Sequence, residues 1–235
     1  CGEATVHEGR IFIKKGVGKI DEVHAELRLD ELPGRIGIGH TRWATHGAPS
    51  VVNAHPHVDC TGRLAVVHNG IIENFTELKI ELEAKGHRFR SRTDTEVVPH
   101  LIEEYLSKGL GLVEAVATAA RRLRGSFALV IAHADFDGLI CVKVESPLVI
   151  GVGRDGMYVA SDIPAFLPYT NDVVQLEDGD MAVLRPDGFE VFRIDTLRPV
   201  KRKVRRIDWT AEMAEKKGFP HFMLKEIHEQ PESLK

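Results

Sequence analysis

Apolar residues recur at every second position through the second half of this chain: Phe127-Ala128-Leu129-Val130-Ile131, Leu139-Ile140-Cys141-Val142, Leu148-Val149-Ile150, Met157-Tyr158-Val159, Val173-Val174-Gln175-Leu176, Met181-Ala182-Val183-Leu184 and Phe189-Glu190-Val191-Phe192. This period predicts short strands, separated here by Asp-Gly and Gly-Asp turns. Earlier in the chain, Arg10–Lys14, Arg35–Trp43 and Arg63–His68 also read as strands, the last ending at Asn69-Gly70, a pair suited to a sharp turn. Helical spacing takes over in between. Ile20, Val23 and Leu27 mark a short amphipathic helix, and Leu78 and Leu82 mark another that follows Asn74 as N-cap and stops at Gly86. Val97, Val98, Leu101, Ile102 and Tyr105 share one face of a helix over about Thr95–Ser107, and an alanine-rich helix covers Val113–Leu123. Strands near both ends with helices between them predict sheets packed face to face and covered by helices. Beyond Arg198 the chain turns basic, then amphipathic from about Thr210, and reaches Lys235 without a stop signal, as a module cut from something longer would.

Composition narrows the class. With 235 residues, 43% hydrophobic and 28% charged, the chain can bury a substantial core. No apolar run approaches the roughly 20 residues of a membrane span, and no signal peptide opens the sequence, so a cytoplasmic protein is expected. Three cysteines, Cys1, Cys60 and Cys141, are too few and too scattered for a disulfide framework or a Cys-x-x-Cys zinc site. A net charge of −4 argues against a general nucleic-acid or membrane-surface role. The one basic run, Lys201–Arg206, reads as a solvated strand or connector.

Candidate chemistry begins at residue one. A cysteine at that position shares a residue with a backbone amine, which can take the thiol proton and generate a thiolate nucleophile. Five histidines, His40, His46, His55, His57 and His68, crowd residues 40–68. Neither cysteine nor carboxylate stands at ligand spacing beside them, so loops held around a polar pocket are expected there and no metal. Arg42 offers a fork of donors suited to a carboxylate. Asp94 reads either as a helix cap or as an acceptor for a ligand ammonium, and Asn69-Gly70 either as a tight turn or as paired oxyanion donors.

The runs Cys1-Gly2, His40-Thr41-Arg42-Trp43-Ala44-Thr45-His46-Gly47, Asn53-Ala54-His55-Pro56-His57, His68-Asn69-Gly70-Ile71-Ile72-Glu73-Asn74 and Thr93-Asp94-Thr95-Glu96 closely resemble the glutaminase domains of the glutamine–fructose-6-phosphate aminotransferase family. The likeness covers about Glu8 to Lys235 and includes Ser146–Gly151, Ala160-Ser161-Asp162 and Lys225–Pro231. It implies an α+β, four-layer αββα sandwich of two antiparallel sheets, the N-terminal nucleophile hydrolase fold, as one glutaminase domain over 1–235. Residues 200–235 would lead toward an absent sugar-isomerase half. By the resemblance, Cys1 attacks the side-chain amide of glutamine, Asn69 and Gly70 form the oxyanion hole, and Arg42 and Asp94 bind the α-carboxylate and α-amino groups. Trp43, Thr45, His46 and His55 shape the pocket and its loop. No cofactor is implied; the expected partners are glutamine and the sugar-isomerase half, through which a homodimer would form. Another amidotransferase, a catalytically inactive glutamine-binding module and a zinc-binding structural module are the competing readings.

The family places a hydrophobic strand, a helix and a Tyr-Arg-Gly-Tyr-Asp-Ser segment after Cys-Gly. Here Gly2 is followed at once by Glu3-Ala4-Thr5-Val6-His7-Glu8-Gly9, which resembles the family's second strand. Losing a central strand would expose much of the core, so an omitted intervening segment is the expectation.

Overall fold

A computed structural model describes residues 1–209 and 217–234. Residues 210–216 of the amphipathic stretch expected from Thr210 lie outside the described residues; further on, Phe222–Ser233 is a helix. The chain folds as β1 (Gly2–His7), β2 (Arg10–Lys15), α1 (Ile20–Leu27), β3 (Ile36–His40), β4 (His57–Val58), β5 (Leu64–Ile72), α2 (Phe75–Ala84), α3 (Val97–Ser107) and α4 (Leu112–Ala120). There follow β6 (Gly125–His133), β7 (Leu139–Val144), β8 (Val149–Val152), β9 (Met157–Ala160), β10 (Asp172–Gln175), β11 (Asp180–Arg185), β12 (Gly188–Arg193), β13 (Pro199–Val200), β14 (Arg205–Arg206) and α5 (Phe222–Ser233).

A seven-stranded antiparallel sheet in the order β13-β12-β11-β7-β6-β5-β4 forms the centre. Its strands alternate as period two requires. Leu64, Val66, Phe127, Leu129, Ile131 and Ile140 face helices α2, α3 and α4, where Leu78, Leu82, Val97, Leu101, Ile102 and the alanines of α4 complete the first core. Ala65, Val67, Ala128, Val130 and Cys141 face the opposite way, onto Ala4, Ile38, Leu148, Ile150 and Val174 of the second sheet layer. Small residues on that face let the two sheets approach closely.

The second layer differs from the expected single sheet. It consists of a three-stranded piece, β2-β1-β3, and a four-stranded piece, β14-β10-β8-β9. Among the described residues β3 pairs with β1 alone and β9 with β8 alone, so each presents a free edge. The two edges line one cavity: Gly39, His40 and Thr41 from the β3 side, Val159, Ala160 and Ser161 from the β9 side, and Val67, Asn69, Ala128 and Val130 from the sheet beneath. Paired backbone is the rule in a buried sheet, and these edges are the exception. The outer helix layer on this side is thin: α1 rests on β2, and the Ile163–Ala165 turn leads Phe166 onto Val149 and Val173.

The Asn69-Gly70 pair does not turn the chain. β5 runs through it to Ile72, with Asn69 opposite Ala128 and Gly70 opposite Phe127. Gly70 adopts φ +119°. A methyl group there would lie 2.0 Å from the Ser126 carbonyl oxygen, so only glycine lets β6 pass. No helix among the described residues is long and apolar enough to cross a membrane.

Candidate active site

The inner-face position of Asn69 and the head of α3 meet beneath the loop that follows β3. They enclose a cavity of about 280 Å³ lined by His40, Arg42, Trp43, Thr45, His55, Asn69, Gly70 and Asp94, among others. The cavity thus gathers seven of the nine residues the sequence singled out. His46 borders it through Asp94, its Nδ1 lying 4.0 Å from Asp94 Oδ1. Cys1 is not among its lining residues.

Asn69 is oriented from behind. His40 Nε2 donates to Asn69 Oδ1 at 2.8 Å, which engages the oxygen and leaves the Nδ2 hydrogens for a ligand. Burial lowers the His40 pKa, which favours the neutral ring with one donor nitrogen. Asp94 is 4% exposed, and its Oδ2 accepts the backbone N–H of Ile72 at 2.8 Å. It is therefore tied to the end of β5 and does not cap the helix, whose N-cap is Glu96. A buried carboxylate holding one hydrogen bond retains acceptor capacity for an ammonium group.

Arg42 Nη2 donates to the carbonyls of His46 and of Gly47, the latter at 3.0 Å, which curls the 42–47 loop around the guanidinium. Asn53 fastens the same loop, donating to Ala48 O at 2.8 Å and accepting from Arg92 N at 3.0 Å. Trp43 is 90% exposed at the rim, and Thr45 is exposed beside it. His46 packs edge-on against Phe75, with ring centroids 5.1 Å apart.

The remaining histidines form a relay under the cavity floor. His55 Nδ1 accepts the His68 backbone N–H at 3.3 Å, so Nε2 carries the ring proton and donates to Thr95 Oγ1 at 3.2 Å. Thr95 Oγ1 in turn lies 2.9 Å from His68 Nδ1. His55 also stacks on His40 at 4.2 Å, and His57 Nε2 contacts Thr93 Oγ1 at 3.1 Å. Burial pushes all three rings toward neutrality: His55 well below its usual value, His57 to about 3 and His68 to about 4. Their nitrogens engage hydroxyls, backbone and one another, holding the loop rather than converging on a point.

Cys1 sits across Arg42, in a separate cavity of about 200 Å³ with Gly16, Val17, Gly18, Ala44, Pro49, Ser50 and Ala54. Arg42 lines both spaces. The Cys1 amine donates to Gly16 O at 3.0 Å, and Gly16 N donates to Cys1 O at 2.9 Å, so the head of β1 is paired to the end of β2. Burial lowers the pKa of that amine, which favours its neutral, proton-accepting form. Sequence reasoning did not find the anchoring partners, His40 behind Asn69 and Ile72 N–H beneath Asp94. Only strand pairing brings them into place.

Two sheet layers with helices outside, a strand asparagine, and a buried carboxylate beside an arginine loop form the arrangement the sequence led one to expect of a glutamine amidotransferase domain. Comparison with known proteins agrees. A family model described as "Glutamine amidotransferase domain" matches residues 40–168. Glutamine–fructose-6-phosphate aminotransferase (isomerizing) of Thermococcus kodakarensis is 55% identical over 100% of this chain and 39% of its own length. Its counterpart in Pyrococcus horikoshii is 56% identical over 100% of this chain and 40% of its own. Among solved structures, the glutamine phosphoribosylpyrophosphate amidotransferase of B. subtilis superposes with a TM-score of 0.71 at 30% identity, over 83% of this chain and 43% of that one. The chain belongs to the glutamine amidotransferase family, and within it to the glutaminase domains of glutamine–fructose-6-phosphate aminotransferases. It spans about two fifths of the length of the curated relatives it matches. The Thermococcus alignment runs to 236 positions for a chain of 235 residues, which leaves no room for a long segment between Gly2 and Glu3.

Proposed function

We propose that this chain binds glutamine in the Arg42–Asp94 cavity and hydrolyses its side-chain amide to glutamate and ammonia. Arg42 takes the α-carboxylate, Asp94 the α-ammonium, and Trp43, Thr45, His46 and His55 shape the pocket wall and its loop. A thiolate attacks the amide carbon, and the resulting oxyanion is met by Asn69 Nδ2 and the Gly70 N–H. Collapse expels ammonia with a proton returned by the base and leaves a γ-glutamyl thioester, which water cleaves to glutamate and free thiol. The observation that carries this reading is the His40–Asn69 bond of 2.8 Å, which presents the Asn69 amide in the same cavity as the buried Asp94 carboxylate.

Cys1 is the thiol the sequence assigns to the attack, with its own amine as base. In this role the head of β1 leaves its Gly16 pairing and the sulfur crosses to the Asn69 side of Arg42. A second reading rests on the free edges of β3 and β9: the nucleophile belongs to a strand laid between them, since that cavity is lined by Asn69 and not by Cys1. In either reading the ammonia serves a sugar-isomerase half that converts fructose 6-phosphate to glucosamine 6-phosphate, in a cytoplasmic enzyme dimerised through that half.

Ammonia release from glutamine by the purified chain, with intact mass to fix its terminus, tests both. Release that vanishes in Cys1→Ala supports the first reading. A folded chain that binds glutamine without release supports the second, and release that persists in Cys1→Ala removes Cys1 from the mechanism.

A further inference from the structure

The strongest unassigned cluster lies away from the glutamine cavity, on the outer side of α3. Cys60 Sγ, His87 Nδ1, His100 Nδ1 and a Glu103 carboxylate oxygen all lie within 4.8 Å of one another. They come from three segments: the β4–β5 turn, the α2–α3 connector, and α3 itself, where His100 and Glu103 share a face at i, i+3. We propose that these four side chains form a structural site for a tetrahedral divalent cation of the zinc class.

The distances fit. Cys60 Sγ lies 3.5 Å from His100 Nδ1 and 3.8 Å from His87 Nδ1, while Glu103 Oε2 lies 2.9 Å from His87 Nδ1 and 3.2 Å from His100 Nδ1. Zinc bonds of about 2.3 Å to sulfur and 2.0–2.2 Å to nitrogen and oxygen place tetrahedral ligand atoms roughly 3.3–3.6 Å apart. One thiolate, two imidazoles and one carboxylate are the donor types this ion takes, and four protein ligands close its shell.

The outer contacts point the same way. His87 turns its Nε2 to Glu104 Oε2 at 3.4 Å, and His100 turns its Nε2 toward Glu96 Oε1 at 3.8 Å. Carboxylates behind ligating imidazoles fix the tautomer that bares the other nitrogen. His87 Nδ1 and His100 Nδ1 both face Glu103 Oε2, at 2.9 and 3.2 Å, a convergence that a ring proton or a shared cation can bridge. The Cys60 backbone N–H donates to Glu103 Oε2 at 3.1 Å and the Arg88 N–H donates to Cys60 Sγ at 3.4 Å, which holds both atoms in place. Cys60 is exposed, which gives the ion a route in, whereas His100 is 1% exposed. The sequence hid this site because Cys60 and His100 stand 40 positions apart and join only when α3 packs beside the β4–β5 turn. Bound there, the ion would clamp the connector that leads to Asp94.

Cobalt(II) and zinc(II) titrated into the chelator-stripped full chain test the proposal. One equivalent of cobalt should bind with the intense visible bands of a tetrahedral ion and a sulfur-to-cobalt charge-transfer band, and zinc should displace it. Cys60→Ser should abolish the charge-transfer band while Cys141→Ala keeps it, and Glu104→Gln should weaken binding about 10–100-fold. Zinc should raise the melting temperature of the wild-type chain but not of Cys60→Ser. Less than one equivalent bound, weak octahedral-type bands, or a charge-transfer band that survives Cys60→Ser would overturn the site and leave a protonated hydrogen-bond cluster.

Discussion

Replacing Gly70 with alanine tests the strand geometry that places the oxyanion donors. Its φ of +119° costs an L-residue about 1–2 kcal/mol. The added methyl would also sit 2.0 Å from Ser126 O and 2.8 Å from Ser146 Oγ, and since the first contact is backbone, β5 and β6 must separate. Overpacking of this kind costs about 1–3 kcal/mol, so the total is about 2–5 kcal/mol. For a chain of this size that is a fall in melting temperature of about 4–20 °C. Gly62→Ala is the control: its φ is +70°, nothing lies within 4 Å of the added methyl, and only the conformational cost applies. Thermal melts of the two variants beside wild type separate these terms, and glutamine turnover should fall about 10²–10³-fold in Gly70→Ala alone as the donor is displaced. Equal melting shifts in the two variants, with turnover intact in both, would refute the packing argument and the placement of the oxyanion hole together.

Acid should weaken the fold between pH 7 and 4. His57 and His68 bind protons near pH 3 and 4 in the folded chain against about 6.5 unfolded, so the unfolded state takes up protons first and stability drops as pH falls through that window. For His68 the difference is worth about 3 kcal/mol, and a flat urea midpoint from pH 7 to 4 would contradict it. Asp180→Asn should cost about 3 kcal/mol by equilibrium unfolding, because the fully buried carboxylate accepts from Arg202 at 2.7 and 2.9 Å and from Arg193 at 3.1 Å. The partial exposure of both arginines keeps the figure at the low end, and a change within 0.5 kcal/mol of zero, the usual size for a surface substitution, would show the cluster to be idle. Ile150→Ala, at a fully buried position between the two sheet layers, should destabilise by about 2–5 kcal/mol in the same assay, and a cost under about 1 kcal/mol would argue against tight packing there.

Period-two runs named β6 to β12 to within two residues at each end, because each is dense in apolar residues. The helices were legible for the complementary reason, a single apolar face each. Asn74 does precede α2 as expected, yet its side chain bonds to Arg122 O and Arg124 N instead of capping the helix. Asn69-Gly70 carried a turn signal, but nine-residue pairing with β6 overrides it and keeps the strand straight. The division of the second sheet layer, the seat of Cys1 against Gly16, and the Cys60–His87–His100–Glu103 cluster depend on long-range pairing that no local pattern encodes. The pocket residues from Arg42 to Asp94 were legible because their motifs are short and continuous, whereas the groups that orient them are remote in sequence.

Calorimetric titration of glutamine into this chain and into Asp94→Asn tests whether the Asp94 carboxylate holds the ammonium group of glutamine in this cavity. Asparagine preserves the shape and can still accept the Ile72 N–H, so the variant removes the charge alone. One site is expected in the wild-type chain, with at least tenfold weaker binding, about 1.4 kcal/mol, in a variant that remains folded by circular dichroism. Equal affinity in both, or no binding by a folded wild-type chain, would contradict that role of Asp94.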